Sequence, residues 1–242
     1  MPKFFVTSDI HGYFDIFIKE LTSAGFDKND ENHWLIVCGD CFDRGQQPRE
    51  LKDYLDTVER KIIIRGNHED LLKDMLKRCI YYNADISNGT VSTVKAMANE
   101  WDFHMAVTKV SKELNIFVNS TIDYFETENY IFVHSFFPFD IPNWRTEASK
   151  KDWEEARWGN PFTLSLATDL GKELNGKTLV FGHWHTSWAR EHIDGIESEY
   201  PEDKNYLPYY GKNFIGLDAC TPLSKRVNVI VLEDDFMEKP NA

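Results

Sequence analysis

The fold is indicated most directly by the segment Trp34-Leu-Ile-Val-Cys-Gly-Asp-Cys-Phe-Asp-Arg-Gly45, in which an apolar run ends at a glycine before two carboxylates and a guanidinium. The run is too short for a helix and long enough for a buried strand of a sheet that is covered on both faces. In open α/β sheets, ligands bind beyond the carboxyl ends of the strands. The segment therefore predicts a strand that places Asp40 at a binding site.

The same arrangement recurs along the chain, since four further apolar runs each end in residues drawn from Asp, His and Asn. These runs are Lys3 to Ser8 before Asp9 and His11, Lys61 to Arg65 before Asn67 and His68, Asn129 to Val133 before His134, and Lys177 to Phe181 before His183 and His185. Asp, His and Asn make up a minority of any soluble chain, so chance is a poor explanation for this placement. We predict that the strand ends converge on a metal site.

The composition restricts the classes of partner. The chain has 242 residues, which suits one α/β domain, and we expect a single domain over 1–242. Its 27 Lys and Arg residues against 40 Asp and Glu residues give a net charge of −13, which argues against nucleic acid or an anionic membrane as the main partner. No apolar segment approaches the ~20 residues of a membrane span, and no secretory signal is evident, so a cytoplasmic location is expected. The sequence does not indicate the oligomeric state.

Apolar spacing between the strands predicts helices. Tyr13 to Ala24 and Pro48 to Val58 each carry an apolar face at helical spacing and complete β-α units. From about 70 to 120 the pattern stays helical, with its last helix predicted from Thr108 to about Phe117. This segment is either a helical cap inserted between strands or a set of core helices packed on one sheet face. Residues 189–211 are rich in Glu, Asp and Tyr and predict an acidic loop excursion near the site.

The side chains at the strand ends include the donors needed for a metal centre. Asp9 and His11 are two residues apart, as are His183 and His185, so each pair projects to one side of extended backbone. A mixture of oxygen and nitrogen donors without thiolate fits manganese, iron or zinc better than calcium or magnesium. The seven predicted metal ligands are Asp9, His11, Asp40, Asn67, His134, His183 and His185.

Seven donors are too many for one metal ion and suit two, provided that one ligand bridges them. A carboxylate can bridge and an imidazole normally does not, so we assign the bridging role to Asp40. Two divalent ions carry about +4, and Asp9, Asp40 and a bound hydroxide leave about +1 to attract an anionic phosphate. Ions roughly 3.5 to 4 Å apart can activate a bridging water and stabilise in-line displacement at phosphorus.

Three further residues suit the chemistry of phosphate cleavage. His68 stands beside a ligand and is the candidate general acid for the leaving alkoxide, with Asp43 as the carboxylate that orients it. Arg44 offers the planar fork that binds phosphate oxygens bidentately. A surface ion pair with a nearby glutamate is the alternative for Arg44. Glu69 and Asp70 are interpreted as N-cap and first-turn residues of the following helix.

At these residues the sequence resembles the metallophosphoesterases, and more closely their serine/threonine phosphoprotein phosphatase branch. The family signatures D-x-H-G, G-D-x-x-D-R-G and G-N-H-E stand here as Asp9-Ile-His11-Gly12, Gly39-Asp-Cys-Phe-Asp43-Arg44-Gly45 and Gly66-Asn67-His68-Glu69. His134-Ser-Phe-Phe-Pro-Phe-Asp140 resembles the H-A-D-x-P-F-D segment of compact phage and bacterial members. The resemblance implies a two-sheet α-β-β-α sandwich with helices on its outer faces and a helical cap insertion.

The resemblance also implies roles for individual residues. One metal ion would be held by Asp9, His11 and Asp40, and the other by Asp40, Asn67, His134 and His183. The pairing of His68 with Asp43 and the phosphate contact of Arg44 carry over. His185 matches only the wider superfamily, in which a second histidine completes the shell of the first metal ion.

One family feature is missing. Compact members place a second phosphate-binding arginine in a W-x-R motif, whereas Trp158 is followed here by Gly159 and Asn160. Arg157 is the candidate substitute. The predicted phosphate-binding residues are therefore Arg44, Asn67 and Arg157.

The sequence predicts a phosphoesterase with two divalent metal ions, for which we expect manganese to serve in vitro, with iron or zinc as the other candidates. The predicted reaction is hydrolysis of phosphate monoesters, either phosphoserine and phosphothreonine in proteins or small phosphate esters, by a metal-bridging hydroxide with His68 as acid. The alternative is a symmetrical dinucleoside tetraphosphate hydrolase or another nucleotide phosphohydrolase. A non-catalytic scaffold is disfavoured, because every ligand and the acid are present.

Overall fold

The computed structural model describes residues 1–196 and 205–237. Within these ranges, two β-sheets lie between layers of helices. The strands are β1 Lys3–Thr7, β2 His33–Val37, β3 Lys61–Ile63, β4 Phe125–Glu126, β5 Tyr130–Phe132, β6 Thr178–Phe181, β7 Tyr209–Gly211, β8 Phe214–Gly216 and β9 Val229–Glu233. The helices are α1 Phe14–Ser23, α2 Pro48–Thr57, α3 Asn67–Arg78, α4 Asn83–Ser87, α5 Thr90–Ala98, α6 Phe103–Ser120, α7 Trp144–Glu147, α8 Lys150–Ala156, α9 Pro161–Ala167, α10 Leu170–Glu173, α11 Thr186–His192 and α12 Thr221–Ser224.

Both sheets are mixed, and each contains three parallel strands. The first sheet has the order β3-β2-β1-β9, in which β9 is antiparallel to β1, and the second has the order β4-β5-β6-β8-β7, in which β4 and β7 are antiparallel. In the first sheet Val37 is paired with Thr7 and with Ile63, so the three parallel strands end side by side. Their carboxyl ends therefore form one edge at which ligands can bind.

The alternation of side chains along β1 explains the layers. Phe4 and Val6 lie in a cluster between the two sheets with Phe132 and Val180 of the second sheet. Phe5, on the opposite face, lies in the cluster that includes the helices on the outside of the first sheet. A third cluster packs the outer face of the second sheet against its own helices. The predicted two-sheet α-β-β-α sandwich is confirmed.

The helical insertion between β3 and β4 consists of α3, α4, α5 and α6. Leu72 of α3 and Val94 of α5 share one buried cluster with Leu35 and Ile63 of the first sheet. The insertion is therefore packed as a layer on the outer face of that sheet, which favours the interpretation as core helices over a separate cap. Its last helix begins at Phe103, earlier than predicted, because the side chain of Asp102 caps it by accepting from the Met105 N–H.

The acidic excursion predicted at 189–211 is covered only in part. Its first residues continue α11, and its last residues form β7, which pairs with β8 as an antiparallel hairpin. Residues 197–204 of this prediction lie outside the described ranges. In the part of the chain that the structure describes, none of the helices combines the length and the apolar character needed to cross a membrane.

Candidate metal centre

The predicted metal ligands lie at the edge where the parallel strands of both sheets end. Asp9 follows β1, Asp40 follows β2, and Asn67 begins α3 just after β3. His134 follows β5 and His183 follows β6. All of these side chains are buried except that of His183, which is half-buried. Both sheets thus contribute polar side chains to one buried site, as predicted from the apolar runs that end in Asp, His or Asn.

The backbone at this edge is unusual. Several residues that are not glycine adopt left-handed φ angles in the turns that follow the strands, namely Asp9 (50°), His11 (51°), Asp40 (54°), Arg44 (77°) and His183 (66°). Such conformations cost of order 1–3 kcal/mol each and persist where the surrounding structure enforces them, often at functional sites. Here they turn the side chains toward one another instead of letting the strands continue.

Two glycines allow the backbone to approach the carboxylates closely. A Cβ atom on Gly66 would lie 2.1 Å from Oδ1 of Asp40, and one on Gly182 would lie 2.1 Å from Oδ2 of Asp9. In this arrangement the His68 N–H donates to Asp40 Oδ1 at 3.0 Å and the His183 N–H donates to Asp9 Oδ2 at 2.9 Å. Any larger residue at Gly66 or Gly182 would displace the carboxylate.

Asn67, His134, His183 and Asp40 direct their donor atoms at a common point. His134 Nε2 lies 2.8 Å from Asn67 Oδ1, 3.2 Å from His183 Nδ1 and 3.4 Å from Asp40 Oδ1. His183 Nδ1 also lies 3.0 Å from Asn67 Oδ1. Asp40, His134 and His183 form one of the two groups of closely spaced donors that could hold a metal ion.

A cation can bind His134 and His183 only if both imidazole rings are neutral. His134 Nδ1 donates to the Cys38 carbonyl oxygen at 2.8 Å, so Nε2 carries the lone pair when the ring is neutral. Burial lowers the pKa of His134 and lowers the pKa of His183 to about 3, so both rings are neutral at pH 7. The lone pair on His134 Nε2 then faces Asn67 Oδ1 and Asp40 Oδ1, and no proton lies between them. A divalent cation fits this donor set.

Carboxylates crowd the other half of the centre. Burial raises the pKa of Asp9 well above its ordinary value, and the charges of Asp218 and Asp40 raise it further. His11 Nε2 lies 3.8 Å from Asp40 Oδ2, and His11, Asp40 and His68 form the second group of closely spaced donors. Buried carboxylates this close together either take up a proton or bind a positive partner. The residues present therefore suit a second cation next to Asp40.

His185 lies further along the same loop, at the N-cap of α11. It belongs to neither of the two groups of closely spaced donors. Burial raises the pKa of Asp218, and the His185 imidazole opposes that rise, so the two side chains lie close enough to interact. The role of His185 as a metal ligand stays a prediction.

His68 and Asp43 form a buried pair. His68 Nδ1 lies 2.8 Å from Asp43 Oδ2. Thr90 and Thr93 of α5 donate to the same carboxylate, at 2.6 Å to Oδ2 and 2.7 Å to Oδ1. Burial alone would lower the pKa of His68, but the charges of Asp40 and Asp43 and the hydrogen bond to Asp43 raise it overall. The arrangement suits a proton donor whose ring is held in one orientation.

Arg44 spans the two imidazoles from the solvent side. Its Nη1 lies 3.1 Å from His11 Nε2, and its Nη2 lies 3.1 Å from His68 Nε2. The residue is exposed, although its guanidinium reaches the buried rings. This position favours a phosphate-binding role over the surface ion pair that the sequence left open.

Arg157 occupies a different environment. It is 2% exposed, its Nη2 donates to Asp123 Oδ1 at 2.7 Å, and its Nη1 lies 3.5 Å from Asp70 Oδ2. Two carboxylates thus neutralise the guanidinium that the sequence predicts as the substitute for the missing phosphate-binding arginine. A phosphate would have to compete with them, so the phosphate contact of Arg157 stays a prediction.

Glu69 does more than the sequence indicates. It lies in the first turn of α3, as predicted, but its carboxylate also accepts from the N–H groups of Asp40 and Cys41, both at 2.9 Å, and of Gly66 at 2.8 Å. Burial, followed by the charge of Asp40, raises its pKa to about 7. The side chain therefore joins the turns that follow β2 and β3.

Sequence reasoning missed Asp218, Thr90 and Thr93. Asp218 follows an apolar run that includes β8, so the rule that found the other strand ends could also have found it. Thr90 and Thr93 carry no comparable signal, because threonine is common on helices and their partner Asp43 is 47 and 50 residues away in the sequence.

Comparison with known families agrees with this geometry. A family model described as calcineurin-like phosphoesterase matches residues 2–187. No curated protein matches the chain.

Several solved structures share the fold. A candidate diadenosine tetraphosphatase is 16% identical with a TM-score of 0.60, over 96% of this chain and 91% of that one. A cold-active protein tyrosine phosphatase from a psychrophilic Shewanella species is 17% identical with a TM-score of 0.59, over 96% and 76%. A protein serine/threonine phosphatase from Saccharomyces cerevisiae is 14% identical with a TM-score of 0.51, over 99% and 82%. At these identities the similarity shows the fold and leaves the substrate open.

Proposed function

The chain belongs to the calcineurin-like phosphoesterase family, and from this we propose that it is a metal-dependent phosphatase that hydrolyses phosphate monoesters, with phosphoserine and phosphothreonine of proteins as its substrates. The observation that supports the proposal best is the contact of His134 Nε2 with Asn67 Oδ1 at 2.8 Å, close to His183 and Asp40. Neither of these two atoms carries a proton when the His134 ring is neutral, because its proton is on Nδ1, and the buried pair of His68 and Asp43 supports a role in proton transfer.

The donors divide between two divalent ions, with Asp40 contributing to both. Asp9 and His11, with His185, would hold one ion, and Asn67, His134 and His183 would hold the other. When bound, the two ions supply positive charge for the phosphoryl oxygens and lower the pKa of water. Manganese is the ion that we expect to support activity in vitro, with iron and zinc as the other candidates.

His68 and Arg44 act on the substrate itself in this proposal. Because Asp43 holds Nδ1 of His68, Nε2 is the atom that can donate a proton to the leaving oxygen. The Arg44 guanidinium lies 3.1 Å from that atom and is exposed, so an entering phosphate can take over its N–H groups. That exchange would free His68 Nε2 for the leaving group.

The test is a substrate panel with protein reconstituted in manganese. p-Nitrophenyl phosphate measures phosphomonoesterase activity, and peptides with phosphoserine, phosphothreonine or phosphotyrosine are compared with diadenosine tetraphosphate. We expect phosphoserine and phosphothreonine peptides to give the highest kcat/KM, and elemental analysis to find two metal ions per chain. A preference for diadenosine tetraphosphate would replace the proposal with the nucleotide hydrolase alternative, and failure to hydrolyse any ester would refute it.

A further inference from the structure

A cavity of about 370 Å³ lies along the segment that follows the predicted metal ligand His134, with Phe136 to Ile141 in its wall. Its apolar wall includes Phe136, Phe139 and Leu164, and its polar lining includes Asp140, Asp152 and Glu155. None of these residues belongs to the predicted metal or phosphate sites. The cavity is therefore distinct from the predicted metal and phosphate sites.

The cavity is connected to the metal centre through two chain segments. Phe136 follows His134 by two residues, and Gly159, which also lines the cavity, accepts a 2.6 Å hydrogen bond from Ser135 Oγ through its carbonyl oxygen. On the other side of Gly159, the Trp158 ring lies 6.3 Å from the ring of His183. Since consecutive Cα atoms are 3.8 Å apart, Phe136 has its Cα within about 8 Å of that of His134.

Aromatic rings form the inner wall of the cavity. The rings of Phe136 and Phe137 are stacked with their centroids 4.5 Å apart, and Phe139 meets Phe136 edge-on at 5.8 Å. Phe136 and Phe137 are buried, whereas Phe139 is 41% exposed. A side chain that enters the cavity therefore meets the open face or edge of Phe139 and can pack along an apolar surface.

Three carboxylates line the same cavity. Among the described residues that line it, none is Lys, Arg or His, so the local charge is negative. Glu155 pairs with Lys151 at 3.4 Å, but both side chains are largely exposed and such pairs contribute little. Asp152 accepts from the Ser149 N–H at the start of α8, and the charge of Lys151 is the smallest of the influences that lower its pKa. Carboxylates can bind the cationic head of an Arg or Lys side chain, and the aromatic wall can pack against its methylene groups.

We propose that this cavity binds the side chain of an arginine or lysine located two to four residues from the phosphorylated residue of a protein substrate. The inference rests on the proposed phosphatase function and specifies its substrate class. An extended peptide advances about 3.3 Å per residue, so two to four residues cover roughly 7 to 13 Å, and the Phe136 Cα at the cavity lies within about 8 Å of the His134 Cα. The same carboxylates would repel the polyphosphate chain of a dinucleoside tetraphosphate.

The test compares phosphothreonine peptides that differ at one position. One series carries arginine two, three or four residues before or after the phosphothreonine, and the matched series carries alanine there. With manganese-reconstituted protein, the best arginine peptide should have a kcat/KM about five- to tenfold above its alanine partner. The preference should weaken at high salt.

Charge-neutral variants separate the cavity from the general acidity of the protein. The variant D140N/D152N/E155Q keeps the side-chain shapes and an acceptor oxygen at Asp152 while removing three negative charges from the cavity. The variant E31Q/E59Q/E173Q removes three charges from exposed positions outside it. We expect the arginine preference to fall to near one in the first variant and to persist in the second.

Each outcome bears on the inference. Equal kcat/KM for arginine and alanine peptides, or an equal loss of preference in both variants, would overturn it. Faster hydrolysis of diadenosine tetraphosphate that falls only in D140N/D152N/E155Q would assign the cavity to a base instead. Inactivity toward p-nitrophenyl phosphate would refute the proposed function separately. In that case fluorescence polarisation measures whether the protein binds the arginine peptide more tightly than its alanine partner. Equal binding of the two peptides would overturn the inference.

Discussion

Thr93 donates a 2.7 Å hydrogen bond to Oδ1 of Asp43, across 50 residues of sequence and with both side chains buried. Thr90 donates to the other oxygen of the same carboxylate. Helix α5 thus fixes the carboxylate that orients His68, so the helical insertion supports the site through α5 as well as supplying Asn67 and His68 from α3.

The double variant T90V/T93V should therefore impair proton transfer. Without the hydroxyl groups, Asp43 loses two of its hydrogen bonds and can rotate, so His68 is held less well. We expect kcat to fall about tenfold for esters with poor leaving groups and much less for p-nitrophenyl phosphate, whose leaving group needs no proton. The pH profile of kcat should shift in the same variant.

The serine variant T90S/T93S is the matched control, because it keeps both hydroxyl groups. It should retain near-normal rates and the original pH profile. If the valine and serine variants lower the rates on both esters equally, the threonines only pack α5 against the sheet and do not position Asp43.

Replacing His68 with asparagine tests the proposed acid directly. Asn67, the neighbouring candidate ligand, is unchanged in H68N, so both metal ions should remain bound. Turnover of esters with poor leaving groups should fall by about 10²-fold or more. Steady-state kinetics and elemental analysis of the same preparation distinguish loss of the acid from loss of metal. Unchanged turnover would remove His68 from the mechanism.

The elements of the fold were predictable because burial and chain direction follow from local pattern. Apolar runs gave the strands that end at Asp9, Asp40 and His134, with ends that differ from the observed strands by only a few residues. The observed start of α6 is earlier than the predicted one because apolar spacing alone does not mark Asp102 as the N-cap. Apolar spacing together with the N-cap residue is therefore needed to predict where a helix begins.

The sequence predicted which residue types form the site. It did not predict the backbone conformations and the hydrogen bonds that hold these residues in place. Strand ends indicated which side chains meet, since parallel strands share an edge. The left-handed backbone at Asp9 and Asp40 was not predictable, because aspartate adopts this conformation at only a minority of its positions and no local pattern marks which ones. The contacts of Thr93 and Glu69 also depend on packing between segments distant in sequence.

Gly66 offers a steric test of the bridging role of Asp40. A Cβ atom at this position would lie 2.1 Å from Asp40 Oδ1, so the variant G66A must displace the carboxylate. We expect it to bind fewer than two manganese ions per chain and to lose at least about tenfold in activity. The control is G171A, where an added Cβ meets its nearest atom at 3.5 Å and metal content should be normal. Full metal binding by G66A would argue against Asp40 as the shared ligand.

Glu126 provides a pH-dependent test of stability away from the metal centre. Burial alone would raise its pKa, but contacts of 2.8 Å to both Arg145 and Lys177 lower it below its ordinary value. Because the folded pKa is lowered, the stabilisation is present above the unfolded pKa of about 4.3 and is lost as the pH falls through the folded pKa. For metal-free protein, urea unfolding at pH 7 should show E126Q less stable than the wild type by about 1 kcal/mol, and the difference should shrink near pH 3. The exposed-site variant E128Q should show no such difference, and a deficit of E126Q that does not change with pH would exclude the ion pairs as its cause.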